Sequence, residues 1–182
     1  HNFGSFVLNG TDNIVISKFI GVVEVGLYSN YTMIIHAIQT MLNLIFNSLT
    51  SSIGNLVNSS SKEQSYEIFK NVLFATSWLV GFCSISLYVL INPFISLWLG
   101  ERYVFNNLVV FLIVLNFYLT FIRRPANSFK HCVGLFRQDQ FKPYVESAIN
   151  LITSVLLVKK YGIAGIFMGT AISTITVCIY LQ

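Results

Sequence analysis

The sequence has few charged residues for its length. Of 182 residues, 11 are Lys or Arg and 7 are Asp or Glu, so 10% of the chain is charged, whereas an ordinary soluble domain has about 25%. Hydrophobic residues make up 54% of the chain and aromatic residues 15%. A soluble fold cannot cover its surface with so few charges, and the same numbers exclude a disordered chain, a coiled coil and a free-standing nucleic-acid-binding domain. An integral membrane protein is the class that remains.

The sequence also lacks the motifs of common catalytic and metal sites. Its three cysteines, Cys83, Cys132 and Cys178, are isolated and fit neither a disulfide framework nor a metal site. There is no phosphate-binding glycine loop, no nucleophile elbow and no His/Cys metal spacing. We therefore expect a protein that is not an enzyme and that has no metal, no cofactor and no nucleic-acid partner.

Six apolar segments are present, and about 20 residues suffice for a helix to cross a bilayer. They cover approximately residues 3–17, 26–57, 67–91, 104–134, 141–158 and 162–182. Because the runs lack the alternation of β-strands, we predict an all-α integral membrane protein of about six transmembrane helices. We predict a loop at Asn58–Ser65 and an end to the third helix at Asn92-Pro93, since proline cannot continue the hydrogen-bond ladder. The first segment is too short to cross, so the sequence is interpreted as a fragment of a longer protein.

The second segment carries a stripe of polar or small residues at intervals of three and four, which places them on one helix face. The stripe consists of Thr32, His36, Thr40, Asn43, Asn47, Thr50 and Gly54. Hydrogen bonding between packed helices and the lining of a water-filled cavity both account for it. His36 is either an interior histidine with a partner or part of a proton relay.

The fourth segment has a similar stripe that includes basic residues. Its members are Asn116, Thr120, Arg123, Asn127, Lys130 and Gly134. An arginine at the centre of a membrane helix costs about 2.5–3.5 kcal/mol. If the helix continues through Pro125, an anionic occupant or partner carboxylates must offset the cost of Arg123 and Arg124. If the helix ends at Ile122 instead, the two arginines form an ordinary flank outside the membrane.

Two carboxylates and a glycine pattern complete the set. Asp12 interrupts an apolar run, which suggests either a buried ion pair or a site for a coupling proton or cation. Glu146, four residues before Asn150, is a weaker case that a position near the water interface explains. In the sixth segment Gly165, Gly169 and Ser173 share a face on which a neighbouring helix can approach closely.

Several short motifs, taken in order, resemble bacterial polysaccharide flippases of the Wzx type, which belong to the multidrug/oligosaccharidyl-lipid/polysaccharide exporter superfamily. They are Asp12–Gly21, Val25–Tyr31, Ser52–Asn55, Ile95–Glu101, Arg123–Pro125, Gly134–Phe136 with Lys142-Pro143, and Tyr161–Thr170. The resemblance implies a fold of two six-helix lobes around a central cavity, of which this chain is the C-terminal lobe. It also implies a missing N-terminal lobe of the same chain as partner, and a location in the bacterial plasma membrane among its lipids.

The resemblance implies transport, by alternating access, of an oligosaccharide unit carried on undecaprenyl pyrophosphate for surface polysaccharide biosynthesis. Coupling or gating is expected at Asp12 and His36. The residues expected to bind substrate are Arg123, Arg124, Lys130, Asn116, Asn43 and Asn47. Two alternatives stay open, namely a multidrug exporter of the same superfamily and a membrane-embedded glycan polymerase or ligase.

Overall fold

The computed structural model describes residues 12–59, 61–133 and 142–181, and within these ranges the chain forms helices and no strand. Helix α1 covers residues 12–19. The other helices are α2 (Val22–Ser59), α3 (Lys62–Leu99), α4 (Asn107–Ile122), α5 (Arg124–Val133), α6 (Lys142–Tyr161) and α7 (Ile163–Leu181), with a 3₁₀ turn at Glu101–Tyr103. The prediction of an all-α fold is confirmed.

Among the described residues, two helices are long and apolar enough to cross a membrane. They are Lys62–Leu99 and the unit Asn107–Lys130, which joins α4 to most of α5, and a shorter apolar helix covers Ile163–Cys178. The core helices of soluble proteins pass the same test of length and composition. However, only 28% of the apolar window of the first helix and 44% of that of the second are buried inside the protein.

The predicted loop at Asn58–Ser65 is wrong for most of its length. Helix α2 extends to Ser59 and α3 begins at Lys62, which leaves only positions 60 and 61 between them. Ser61 caps α3, because its hydroxyl accepts a hydrogen bond from the backbone N–H of Gln64 at 3.3 Å. The Gln64 side chain accepts one from the N–H of Ser61 at 3.2 Å. This capping box stabilises the start of α3 within a polar stretch that we had predicted to be a loop.

The predicted end of the third helix at Asn92-Pro93 is also wrong. Pro93 lies inside α3, which continues to Leu99 and stops before Gly100, whose φ is 102°. Proline removes one ladder bond, and the Asn92 side chain fastens this turn to the rest of the molecule. Its amide accepts from the Tyr31 hydroxyl at 2.7 Å and donates to the Phe105 carbonyl at 3.1 Å.

Helices α6 and α7 form a closely packed hairpin that turns at Gly162, where φ is 58°. A Cβ atom added to Gly165 would lie 2.8 Å from the Val158 backbone nitrogen, and one added to Gly169 would lie 2.7 Å from the Ser154 nitrogen. Ser173, the third member of the predicted small-residue face, is fully buried. The close approach predicted from this spacing is therefore present.

Candidate functional site

A cleft with polar walls, here called the polar cleft, lies between α1, α2, α4 and α7 and has a volume of about 160 Å³. Its polar side chains are Asp12, Asn13, Thr32, His36, Gln39, Asn116, Thr120 and Thr170, and its aromatic ones are Tyr28, Phe117 and Phe167. Four-residue spacing brings Tyr28, Thr32 and His36 to one face of α2, and Asn116 and Thr120 to one face of α4.

The polar stripe predicted on α2 divides into two parts. Thr32 and His36 line the polar cleft, and Asn43 bonds to a neighbouring helix. Thr40 and Asn47 are exposed, and the Thr40 hydroxyl donates to the carbonyl of His36 in its own helix at 2.8 Å. The Thr50 side chain lies outside the described ones, and a Cβ on Gly54 would lie 3.5 Å from Cys132 Sγ. Both interpretations of the stripe thus apply, to different turns of the helix.

Arg123 lies in a break between two helices. Helix α4 ends at Ile122 and α5 begins at Arg124, and the Phe121 carbonyl, which Pro125 cannot bond, accepts from the Arg123 N–H. The helix therefore ends at Ile122, as one of the two alternatives predicted, but a second helix that contains Pro125 follows directly after Arg123. Both arginine side chains are partly buried against other helices rather than displayed on a free flank.

The Arg123 guanidinium pairs with a carboxylate on α6. Its Nη1 lies 3.0 Å from Glu146 Oε1 and 3.2 Å from Oε2, and Glu146 is only 6% exposed. The Thr174 hydroxyl donates to the same Oε1 at 3.0 Å. The position near the water interface that we expected for Glu146 stays a prediction, and the structure adds a role for this carboxylate as the buried counter-ion of Arg123. The cost of burying Arg123 is offset by a partner carboxylate.

Arg124 makes a different contact. Its Nη2 donates to Asn43 Oδ1 at 2.8 Å, and its guanidinium lies 5.5 Å from the centroid of the Phe121 ring. We call Arg123, Arg124, Asn43 and Glu146 the arginine layer. Since Arg124 follows Thr120 by four residues, this layer lies about 6 Å beyond the polar cleft along the helix axis.

Asp12 is 6% exposed and lies at the cleft wall. Its oxygens are 3.4 and 3.5 Å from the Thr170 hydroxyl, which also accepts from Asn150 Nδ2 at 2.8 Å. Within the described ranges no Lys or Arg is within ion-pair distance of Asp12. Of its two predicted roles, the ion pair is therefore not formed with any of those side chains.

Asn116 fixes the cleft against α7. Its Nδ2 donates to the Phe167 carbonyl at 3.0 Å, and its Oδ1 is buried without a partner among the side chains that the structure describes. Lys130, on α5, is half-buried and does not line the cleft. The polar cleft therefore brings together Asp12, His36 and Asn116 from the predicted set. Elsewhere Arg124 contacts Asn43 and Arg123 contacts Glu146, and Asn47 is exposed outside both groups.

Sequence reasoning missed the contributions of Thr170, Tyr28 and Phe167. The Tyr28 and Phe167 rings pack with centroids 4.9 Å apart, on helices that are far apart in sequence. Thr170 follows Gly169 directly and lies four residues after Ile166, whose carbonyl it also contacts at 3.2 Å. The only available signal was its place beside the small-residue face of α7.

No cluster of three or more His, Cys, Asp or Glu side chains suited to a metal occurs in the described part of the chain.

Comparison with known proteins gives no relative for this chain: no family model, no curated protein and no solved structure matches it.

Proposed function

We propose that this chain is a membrane-embedded lobe of a transporter that moves lipid-linked oligosaccharides across the bacterial plasma membrane by alternating access. In this proposal it is a multi-pass transporter rather than an enzyme, and its substrate is a glycan unit on undecaprenyl pyrophosphate for surface polysaccharide biosynthesis. The observation that carries the proposal is a polar cleft in a helical protein that exposes large apolar side chains on its outer surface.

The outer surface of α3 supports a lipid environment. Large apolar side chains are exposed along its length, including Trp78 at 69%, Phe82 at 67% and Leu97 at 89%. Contiguous exposed apolar surface of this extent is rare on soluble monomers. In a bilayer these apolar side chains contact lipid tails instead of water, so their exposure has no cost. For the whole lobe we propose about six membrane spans.

The polar cleft supports a hydrophilic substrate. Side chains such as Asp12, Gln39 and Asn116 are costly inside a membrane unless they face a partner or a water-filled cavity. Here they face a cavity that is wide enough for a ring-sized ligand. Amide, hydroxyl and carboxylate groups beside aromatic rings are the kind of lining that orients a polar ligand.

The arginine layer supports an anionic group on that substrate. A guanidinium has five N–H donors, and the bonds to Glu146 and Asn43 each use one terminal nitrogen. The remaining donors of Arg123 and Arg124 match phosphate oxygens in geometry and charge. We propose that these two residues hold the pyrophosphate, that Lys130, Asn43, Asn47 and Asn116 contribute polar contacts, and that Asp12 and His36 serve in coupling or gating.

Charge-removing variants of the full-length protein, reconstituted in liposomes with a lipid-linked oligosaccharide, test the proposal. We expect Arg124→Gln to slow glycan translocation about tenfold, since each charge-assisted hydrogen bond to phosphate is worth a factor of this order. The double variant Arg123→Gln/Glu146→Gln removes the other arginine without leaving a charge unpaired. Arg102→Gln, in the exposed 3₁₀ turn, is the matched control and is expected to transport normally. Translocation at the unaltered rate in both test variants would refute the role of these arginines.

One observation favours a second candidate, the multidrug exporter. The polar cleft itself contains a carboxylate, and neither Lys nor Arg is among its lining residues in the described part of the chain, which suits a cationic substrate. Export of a cationic dye from the same liposomes, in the absence of any glycan substrate, would favour this function. Glycan translocation without dye export favours the flippase.

A further inference from the structure

The polar cleft and the arginine layer differ in charge although they are adjacent. Asp12 lies in the wall of the cleft, and the other basic or acidic member of that wall is His36. Both arginines lie outside it, in contact with Glu146 and Asn43. A carboxylate next to a ligand disfavours a second negative charge, so an anionic group is expected beyond the cleft rather than in it.

The cleft also offers more hydrogen-bond acceptors than donors. The Thr32 and Thr120 hydroxyls donate to carbonyls of their own helices, at 2.9 and 2.8 Å, and the Asn116 amide donates to Phe167. Among the described residues, the Asp12 carboxylate has only the long contacts to Thr170, and Asn116 Oδ1 has no partner. A ligand that brings its own O–H or N–H donors satisfies these groups.

The dimensions of the cleft fit one ring. Its volume is about 160 Å³, and a cavity of about 150 Å³ holds a six-membered ring such as benzene. Tyr28, Phe117 and Phe167 provide apolar surface for the faces of a ring, while the acceptors surround its edge. A pyranose ring matches this arrangement, because its two faces carry C–H groups and its edge carries hydroxyl groups.

We propose that the polar cleft binds a single sugar ring of the substrate, either uncharged or carrying an amino group, and that it excludes anionic groups. An acidic sugar or the pyrophosphate is left to the arginine layer, about 6 Å away along the helix axis. The assignment rests on the proposed transport function. It adds the chemical class that the cleft accepts and the class that it rejects.

Cysteine protection in the full-length protein, with its native cysteines replaced, tests the site. Gln39→Cys places a thiol in the cleft wall, and Lys159→Cys, exposed at the end of α6, is the matched control. The maleimide reaction is followed with methyl glucoside, glucosamine, glucuronate, inorganic pyrophosphate or sodium chloride present. We expect methyl glucoside and glucosamine to slow the reaction at position 39 about tenfold when present at ten times their dissociation constant. Glucuronate and pyrophosphate should not slow it, and no compound should affect position 159.

The variant Asp12→Asn tests the source of the selectivity. We expect glucosamine to lose about tenfold in affinity, because a charge-assisted bond is removed, and glucuronate to become as effective as methyl glucoside. An unchanged reaction of Lys159→Cys in the Asp12→Asn background checks that the fold is kept. If it is not kept, Asp12→Ser, which also removes the carboxylate, is compared in the same way.

Two results would overturn the assignment. Protection by glucuronate equal to that by glucosamine in the Gln39→Cys protein would refute the exclusion of anions. Protection by sodium chloride, relative to choline chloride, without protection by any sugar would make the cleft a cation site. Failure here is distinct from failure of the proposed function, since glycan translocation with no sugar protection removes only this inference. Sugar protection without translocation removes only the transport function.

Discussion

Helices α2 and α6 both carry polar side chains at four-residue spacing, yet the two stripes end in different surroundings. On α6, Glu146, Asn150 and Ser154 are 6%, 0% and 0% exposed. On α2, Thr32 is half-buried and His36 and Thr40 are exposed. A periodic stripe therefore identifies one face of a helix, but it does not tell whether another helix packs against that face.

The difference comes from the helix opposite. Helix α7 presents Gly165 and Gly169 to α6, so the two backbones approach until a single added Cβ would overlap Val158 or Ser154. At this distance the polar groups of α6 bond directly across the interface, as in the pair Asn150–Thr170 at 2.8 Å. Among the described residues, no helix approaches α2 as closely along the cleft, and the side chains of Thr32 and His36 line the cavity instead.

The largest expected effect is on the buried ion pair of α6. Glu146→Gln leaves the Arg123 charge without its carboxylate, and we expect a loss of about 3 kcal/mol in unfolding free energy, at the lower end for buried pairs because Arg123 is partly exposed. Glu67→Gln is the matched control. It breaks the exposed pair with Lys70 at 2.8 Å, for which we expect no measurable change. Denaturation of the purified protein in mixed micelles measures both, and equal losses would contradict the contrast.

A smaller effect is expected for the close approach of α6 and α7. Gly169→Ala forces the Ser154 backbone to move, and we expect it to cost about 2 kcal/mol. Gly81→Ala, in α3 with nothing within 4 Å of the added Cβ, should stabilise the protein by about 0.5–1 kcal/mol. The same denaturation measurement applies. If Gly169→Ala stabilised the protein instead, then α6 and α7 would not be packed as closely as the structure shows.

The smallest effect compares two threonines. Thr174→Val removes the hydroxyl that donates to Glu146 at 3.0 Å, and we expect a loss of about 1 kcal/mol. Thr40→Val removes an exposed hydroxyl that bonds only within α2, and it should lie within about 0.5 kcal/mol of the unaltered protein. If Thr40→Val costs as much as Thr174→Val, then α2 is packed against a partner along this face.

Much of the helical organisation could be predicted from hydrophobic runs, because burial or lipid contact requires such runs irrespective of what lies beside them. The errors arose where local chemistry decides. Ser61 and Gln64 start a helix inside a polar stretch, and Pro93 is accommodated because Asn92 is fastened to Tyr31 and Phe105. For the site, the two stripes singled out His36 and Asn116, the interrupted apolar run singled out Asp12, and all three line the cleft. These patterns could not predict Thr170 or Phe167 there, since the pattern of α7 indicated only a packing face of small residues.

The sequence by itself determined that charges are few and that Arg123 and Arg124 need an explanation, because composition and spacing are properties of the chain alone. Only the tertiary structure decided what that explanation is. Glu146 lies 23 residues from Arg123 and Asn43 lies 81 residues from Arg124, so no local pattern connects them. Packing of α6 and α2 against the break at Arg123 makes those contacts. It thereby separates a cationic layer from a cleft in which Asp12 is the only carboxylate among the described lining residues.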